Sequence, residues 1–349
     1  MLPHRHPDPL RPGDTVAVLS PSAPGPALFP EVYQLGLRRL RSGFGLDVVE
    51  FPTTRAEQAT PAERAADLHA AFADPRVRGI LTSLGGDDQI RVLDHLDPDL
   101  LRRYPKPFFG YSDNTNLHLF LWNLGLVSYH GGAVMVQWGR PGRMHPATEQ
   151  SLRQALFERG ERRLADPGES TDEEQCDWND PATLAAAPRL EPTAPWSWHG
   201  PDHPVTGTLW GGCLEILAMH LAQGGRHLPE PERLRGAVLL IETSEELPSA
   251  DQVHRTLTGL GERGLLGELA GVIAARPKAW SFTDRRDRAA KQRYREDQHR
   301  VVLDAVHSVN PGAVVVLDVD LGHTDPQLVV PSGGQVRLDP VTRTVHVTY

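Results

Sequence analysis

Apolar and polar positions along this chain fall into blocks that switch repeatedly between the period of a strand and that of a helix. Residues 15–20 (TVAVLS) are an apolar, β-branched run closed by the turn material PSAPGP, the mark of a buried strand. The helical pattern that follows puts Tyr33, Leu37 and Leu40 on one face and stops at Gly43 and Gly45; residues 46–49 give the next strand. Thr60-Pro61-Ala62-Glu63 is a capping box with proline at the first helical position, which predicts a helix from there to about Ala73. Residues 79–84 (GILTSL) form a third strand, closed by Gly85-Gly86-Asp87-Asp88. Strands alternating with helices imply a mostly parallel sheet covered on both faces, with ligands beyond the carboxyl ends of the strands.

Residues 107–124 (PFFGYSDNTNLHLFLWNL) organise this half of the chain. A short buried strand at Phe108 and Phe109 turns sharply at Gly110-Tyr111-Ser112 into a helix. Leu117, Phe120, Leu121 and Leu124 share one face of that helix, and Gly125 stands at its stop. Asp113, Asn114 and Asn116 crowd the first turn, where side-chain oxygens satisfy free N–H groups. A serine on such a turn is lifted out of the core, and the next N–H can point at an oxyanion, as in a nucleophile elbow. Asn114 occupies the place of that pattern's second glycine, and the same serine also suits a plain N-cap. His118, one residue after a core leucine, reads as surface or packing. A strand over 125–130 closes this half.

Over residues 165–200 the periodicity breaks down into a proline-rich, acidic segment that reads as a connecting loop. Trp178, Trp196 and Trp198 are unusual in a solvated linker and point to part of it folding over something. Beyond it, residues 205–210 give a strand, Gly211-Gly212 a turn, and an apolar helix runs through Leu221. Residues 237–242 (AVLLIE) are a buried strand, and Ser249-Ala250-Asp251-Gln252 is a second capping box. It opens a helix with Val253, Leu257 and Leu260 on one face. A strand over 271–275, a long helix over 285–306 with a mixed-charge face and a strand over 313–319 follow. The last strand runs into Gly322-His323-Thr324-Asp325-Pro326, and the tail reads as short antiparallel strands around Ser332-Gly333-Gly334 and Asp339-Pro340. The expected organisation is an N-terminal α/β domain over 1–165, a connecting loop over 166–200 and a C-terminal β/α domain over 201–349.

Composition narrows the function classes. The chain has 349 residues, 39% hydrophobic and 23% charged, which suits a two-domain globular protein. A formal charge of −9 argues against a nucleic-acid polymer as partner, because neutralising phosphates needs a basic surface. The opening MLPHRHPDPLRPGD lacks an apolar h-region, and no apolar run approaches the ~20 residues that span a bilayer. The expectation is a cytoplasmic protein without a membrane partner. Cys176 and Cys213 make neither a disulfide framework nor a metal cluster, and the sixteen histidines lack ligand spacing. Neither a metal nor a cofactor is expected.

Three polar residues stand where apolar strands end: Ser112, Glu242 and His323. A serine hydroxyl becomes a useful nucleophile when a histidine takes its proton and a carboxylate fixes the imidazole tautomer. The order Ser, Glu, His is also that of α/β hydrolases. With Ser112 in the first half and the other two in the second, such a triad assembles only across a domain interface. Each residue has a structural alternative: Glu242 as the cap of the following turn, His323 as a turn histidine bonded to backbone. Gly85-Gly86 lacks the Gly-Lys-Ser/Thr ending of a phosphate loop and fits better as an acyl oxyanion donor. His130-Gly131-Gly132 resembles a lipase oxyanion segment but follows the elbow instead of preceding it.

In this order, Gly85-Gly86, Gly110-Tyr111-Ser112-Asp113, Gly211-Gly212, the strand ending in Glu242, and Gly322-His323-Thr324-Asp325-Pro326 with Leu328-Val329-Val330-Pro331 resemble the LD-carboxypeptidase family of serine peptidases. The Gly-His-Thr-Asp-Pro form and the acidic insert ending in Asp177-Trp178 resemble the branch that contains the microcin C self-immunity peptidase. The resemblance implies a flavodoxin-like first domain, related to class I glutamine amidotransferases, and a smaller mixed β/α second domain. It implies Ser112 as nucleophile, His323 as general base then acid, Glu242 as orienting carboxylate, and an oxyanion hole from the backbone N–H groups of Gly86, Asp87 and Asp113. It further implies a homodimer.

Two substrate classes follow from the resemblance: an aminoacyl or peptidyl nucleotide, and a murein tetrapeptide cut before its terminal D-alanine. In the microcin branch aromatic residues of the insert stack on the base; Trp178 is retained here, while an earlier one is replaced near Ser170. Cys213 stands where the family commonly has asparagine, and Asp87 and Asp88 where small or neutral residues are common. A D-alanine carboxylate needs a cation, for which Arg140 and Arg143 are candidates, although both also read as surface arginines. The rival readings are a non-catalytic binding protein on the same fold and an amidotransferase-like domain. The latter needs a cysteine at the elbow, where this chain has Ser112.

Overall fold

In the computed structural model, which describes residues 4–173 and 176–349, the first apolar run becomes β1 (Thr15–Leu19). It is followed by α1 (Gly25–Leu28), α2 (Pro30–Phe44), β2 (Asp47–Glu50), α3 (Pro61–Ala73) and β3 (Val77–Thr82). Next come α4 (Pro98–Arg103), β4 (Phe108–Gly110), α5 (Thr115–Asn123) and β5 (Ser128–His130). The five strands are parallel in the order β2-β1-β3-β4-β5, the flavodoxin-like order. Local signals explain most boundaries. The Thr60–Glu63 capping box starts α3, and α2 runs through Gly43 to end at Gly45, whose φ of 66° makes the left-handed cap. Strand β3 begins two residues before the expected 79, and Ser83 and Leu84 lie beyond its end.

The rest of the chain adds α6 (Pro146–Phe157), β6 (Glu161–Arg163), β7 (Glu169–Ser170), β8 (Glu191–Pro192), β9 (Ser197–His199) and β10 (Val205–Cys213). Then come α7 (Leu214–Ala222), β11 (Val238–Glu242), α8 (Ala250–Glu262), β12 (Gly271–Ala275), α9 (Arg288–Val309) and β13 (Val314–Val319). Three short strands finish the chain: β14 (Val330–Ser332), β15 (Gln335–Asp339) and β16 (Thr344–Thr348). The second sheet is mixed, in the order β6-β16-β15-β10-β11-β12-β13-β9, with β10 to β13 parallel. Strands cross the expected domain limits. β6, from the first segment, pairs with β16, and β14, from the last, pairs antiparallel with β5 through Val330 and His130.

Helix α5 is the seam between the sheets. Leu117 and Leu121 pack with Ile80 and Phe108 of the first sheet, while Leu119 and Trp122 pack with Trp210 and Leu239 of the second. Trp122 Nε1 donates to the Leu209 carbonyl at 3.2 Å, and the Cys213 N–H donates to Thr115 Oγ1 at 3.0 Å. Burying both faces of one helix ties the position of the turn that leads into it, where Ser112 lies, to the second sheet.

The described residues of the segment over 166–200 form more than a linker. Trp196 is buried with its Nε1 on Asp320 Oδ2 at 2.9 Å, and Trp198 lies on β9, which pairs with β13. Asp172 is buried and accepts from Lys291 at 2.8 Å, Arg295 at 2.6 Å and the Ala279 N–H at 3.1 Å. Thr171 and Asp325 exchange backbone hydrogen bonds of 2.7 and 2.9 Å. These bonds make the segment a strap across the second sheet and its His323 loop. Among the described residues no helix is long and apolar enough to cross a membrane.

Candidate active site

The carboxyl end of β4 delivers Ser112. Its φ of 61° is left-handed, a conformation that costs a non-glycine residue about 1–3 kcal/mol and tends to sit where function requires it. The turn is held from beneath. His118, fully buried, donates from Nε2 to the Gly110 carbonyl at 2.8 Å and accepts at Nδ1 from Ser128 Oγ at 2.7 Å. Burial brings its pKa down to about 4, so the ring is neutral and structural. Asp113 is also fully buried, and its carboxylate accepts from the Ser22 hydroxyl, the Gln89 N–H at 2.9 Å and the Asn116 amide at 2.8 Å. Its side chain frames the turn, leaving its backbone as the part that faces Ser112. Gly85 packs directly against Ser112, and Gly86 and Asp87 beyond it are exposed.

The carboxyl end of β11 delivers Glu242, and the loop after β13 delivers His323. His323 Nδ1 donates to Glu242 Oε2 at 2.6 Å. That loop is pinned to the first half of the chain by Gln327. Its amide donates to the Gly322 carbonyl at 2.8 Å and accepts from the Gly132 N–H at 3.2 Å, and its backbone N–H donates to Thr148 Oγ1 at 3.1 Å. Gly322 permits the approach, since a Cβ there would stand 3.1 Å from Glu242 Cβ. Because β14 then joins β5, next to β4, the imidazole is carried back to the edge where Ser112 turns. The ring of Tyr111 lies 4.9 Å from that of His323. Among the described residues no hydrogen bond joins Ser112 to His323; Nε2 instead faces Glu245 Oε2 at 3.3 Å. Burial opposes charge on His323, but Glu242 and Glu245 outweigh it and bring its pKa up to about 9.

A pocket in front of this edge is lined by Tyr111, Met135, Arg140, Trp178, Lys278 and His323, among others. Trp178 packs edge-on against Phe29, with centroids 5.4 Å apart. Arg140 is not a surface arginine. It is buried, and its Nε donates to both carboxylate oxygens of Asp325 at 3.0 and 2.9 Å. Burial holds the Asp325 carboxyl above the usual range, against the pull of Arg140. Arg143 is exposed, offers its carbonyl to Arg140 and lines a separate surface depression. Cys213 is buried beside Glu242, donates to Glu215 Oε2 at 3.2 Å, and has its thiol pushed up first by burial and then by both carboxylates, which leaves it unreactive. No group of three His, Cys, Asp or Glu side chains among the described residues is arranged to hold a metal.

Two residues of this site escape a reading of the sequence. Glu245 follows Glu242 by three positions in an acidic loop, where nothing marks one carboxylate as facing the imidazole. Lys278 is buried just past the end of β12, the same edge as the other candidates. That strand-end position is the signal that could have found it.

Two family models match the chain: the LD-carboxypeptidase N-terminal domain over residues 16–131 and the LD-carboxypeptidase C-terminal domain over residues 206–338. The chain belongs to the LD-carboxypeptidase family. Among curated members, "Probable murein peptide carboxypeptidase" of Bacillus subtilis is 28% identical, with 97% of this chain and 92% of that one covered. The microcin C7 self-immunity protein MccF of Escherichia coli is 26% identical, with 97% and 94% covered. An MccF-like protein from Bacillus anthracis superposes with a TM-score of 0.84 at 23% identity, covering 99% of this chain and 100% of that one. MccF in complex with aspartyl sulfamoyl adenosine superposes at 0.83, with 24% identity and 98% of each chain covered. These two likenesses show that the LD-carboxypeptidase chain shares the two-sheet MccF fold.

Proposed function

We propose that this chain is a serine hydrolase that cleaves an amide through an acyl-enzyme, with an aminoacyl or peptidyl nucleotide as substrate. The observation that carries the chemistry is the 2.6 Å bond from His323 Nδ1 to Glu242 on the edge to which Ser112 turns. A carboxylate on Nδ1 fixes the tautomer in which Nε2 is free to act as base, and its place on the sheet edge beside the Ser112 turn favours catalysis over a non-catalytic binding protein. Ser112 Oγ attacks the carbonyl carbon while its proton passes to His323 Nε2. The backbone N–H groups of Asp113 and of the Gly86-Asp87 turn receive the oxyanion, where losing one donor costs about 100- to 1000-fold in rate. Collapse breaks the C–N bond as Nε2 returns the proton to the leaving amine. Water, deprotonated by the same nitrogen, then attacks the ester and frees Ser112.

The apolar wall of the pocket supports the nucleotide reading. Trp178, backed by Phe29, offers a face to a base, and MccF itself is known in complex with aspartyl sulfamoyl adenosine. Lys278 favours the second reading, a murein tetrapeptide, because a buried lysine in the pocket suits the carboxylate of a terminal D-alanine. Incubating wild type and Ser112→Ala with an aminoacyl sulfamoyl adenosine and with a murein tetrapeptide separates these readings. The nucleotide reading requires turnover of the first, lost in the variant. Turnover of the tetrapeptide alone selects the second, and equal turnover by both proteins removes the nucleophile assignment.

A further inference from the structure

His323 Nε2 is the atom that exchanges a proton with Ser112 in the reading above, and a carboxylate already stands beside it at ion-pair distance. Glu245 Oε2 lies 3.3 Å from it while Glu242 holds Nδ1. The loop that carries Glu245 is built to place it there. Ser244 N–H and Oγ both donate to Glu215 Oε1, at 2.8 and 2.7 Å, and the Glu246 N–H donates to Ser244 Oγ at 3.2 Å. Leu247, buried, closes the turn at a φ of 53°, a left-handed conformation that a branched side chain rarely adopts. The backbone under Glu245 is therefore fixed, whereas its side chain is 59% exposed, with solvent beside it.

We propose that Glu245 is a latch on His323: it holds the imidazole in a resting, doubly paired state and must release Nε2 before Ser112 can be activated. This rests on the Ser112–His323–Glu242 reading. In that reading Glu245 is a positioning residue, since it acts on substrate only through His323. The charged and titratable groups facing the ring are Glu242, Glu245 and Glu246 from the β11 end, Lys278 from the β12 end, and Tyr111 and His130 from the first sheet. Burial and Lys278 disfavour the imidazolium, and the carboxylates favour it more strongly. A protonated Nε2 cannot take the proton of Ser112. Removing the charge of Glu245 removes one attraction, and a unit pair at this separation in water-like surroundings is worth about one pKa unit. An empty site is thereby guarded against idle attack by its own serine, and a substrate that draws Glu245 away frees the base.

The test is the pH profile of covalent labelling of Ser112 by a fluorophosphonate, a small probe that needs no substrate recognition, in wild type, Glu245→Gln and Ser112→Ala. The latch predicts that the alkaline rise in labelling moves down by about one pH unit in Glu245→Gln, so that labelling at pH 7 is faster than in wild type. Superimposable profiles, or a shift upward, overturn it. Equal labelling of Ser112→Ala and wild type defeats the underlying site reading instead. The histidine NMR titration of His323 in Ser112→Ala, with and without Glu245→Gln, gives the same answer independently of reactivity. Its midpoint falls if the latch exists and stays put if it does not.

Discussion

Gly85 and Ser112 stand so close that a Cβ on Gly85 would lie 2.9 Å from Ser112 Cβ and 3.1 Å from its Oγ. The glycine turn after β3 and the serine turn after β4 are therefore two walls of one narrow slot. Gly85→Ala must push Ser112 or the Gly86-Asp87 backbone aside, and a displacement of this kind costs about 100-fold in rate. Steady-state kinetics should show that loss in kcat, with the thermal midpoint little changed.

Glu242→Gln keeps the shape of the side chain but replaces the acceptor of His323 Nδ1–H with an amide that can bond the wrong tautomer. The expected result is a fall in kcat of about 1,000- to 10,000-fold with a modest change in KM. Stopped or continuous assays on the better of the two substrates measure it. A loss under tenfold would mean that Glu242 is structural.

Trp178→Ala should weaken binding of a non-hydrolysable aminoacyl sulfamoyl adenosine by about 1–3 kcal/mol if the base stacks there. Calorimetry gives the number directly. Binding of a murein tetrapeptide should be less affected, so the ratio of the two affinities tests the substrate assignment as well as the residue.

The His323–Glu242–Glu245 cluster also sets a pH dependence of stability. His323 has a folded pKa of about 9, above its ordinary 6.5. A raised pKa stabilises the fold fully below about pH 6.5 and ceases to do so as pH rises through about 9. Denaturant midpoints of wild type and His323→Gln, compared from pH 6 to 10, should converge above pH 9. A constant difference would show that the imidazole is not held as a cation.

Much of this molecule was legible because its signals are local. The apolar run of β1, the capping boxes at Thr60 and Ser249, and the polar residues just past the end of β4 and at the end of β11 are short-range patterns that the structure keeps. What was not legible depends on distant partners. Nothing near Val330 says that β14 will leave the second sheet for β5, yet that crossing brings His323 towards Ser112. Arg140 reads as exposed until Asp325, far along the chain, is folded against it. The strap over 166–200 lacks periodicity because its order comes from Asp172, Trp196 and β9 each finding partners in the second half.

An acyl-enzyme requires one covalent bond, from Ser112 Oγ to the carbonyl carbon of the substrate. Intact-protein and peptide mass spectrometry after brief exposure to an aminoacyl sulfamoyl adenosine should find the aminoacyl mass on Ser112 in wild type and none in Ser112→Ala. Acyl transfer to another residue, or undiminished hydrolysis by Ser112→Ala, would contradict it.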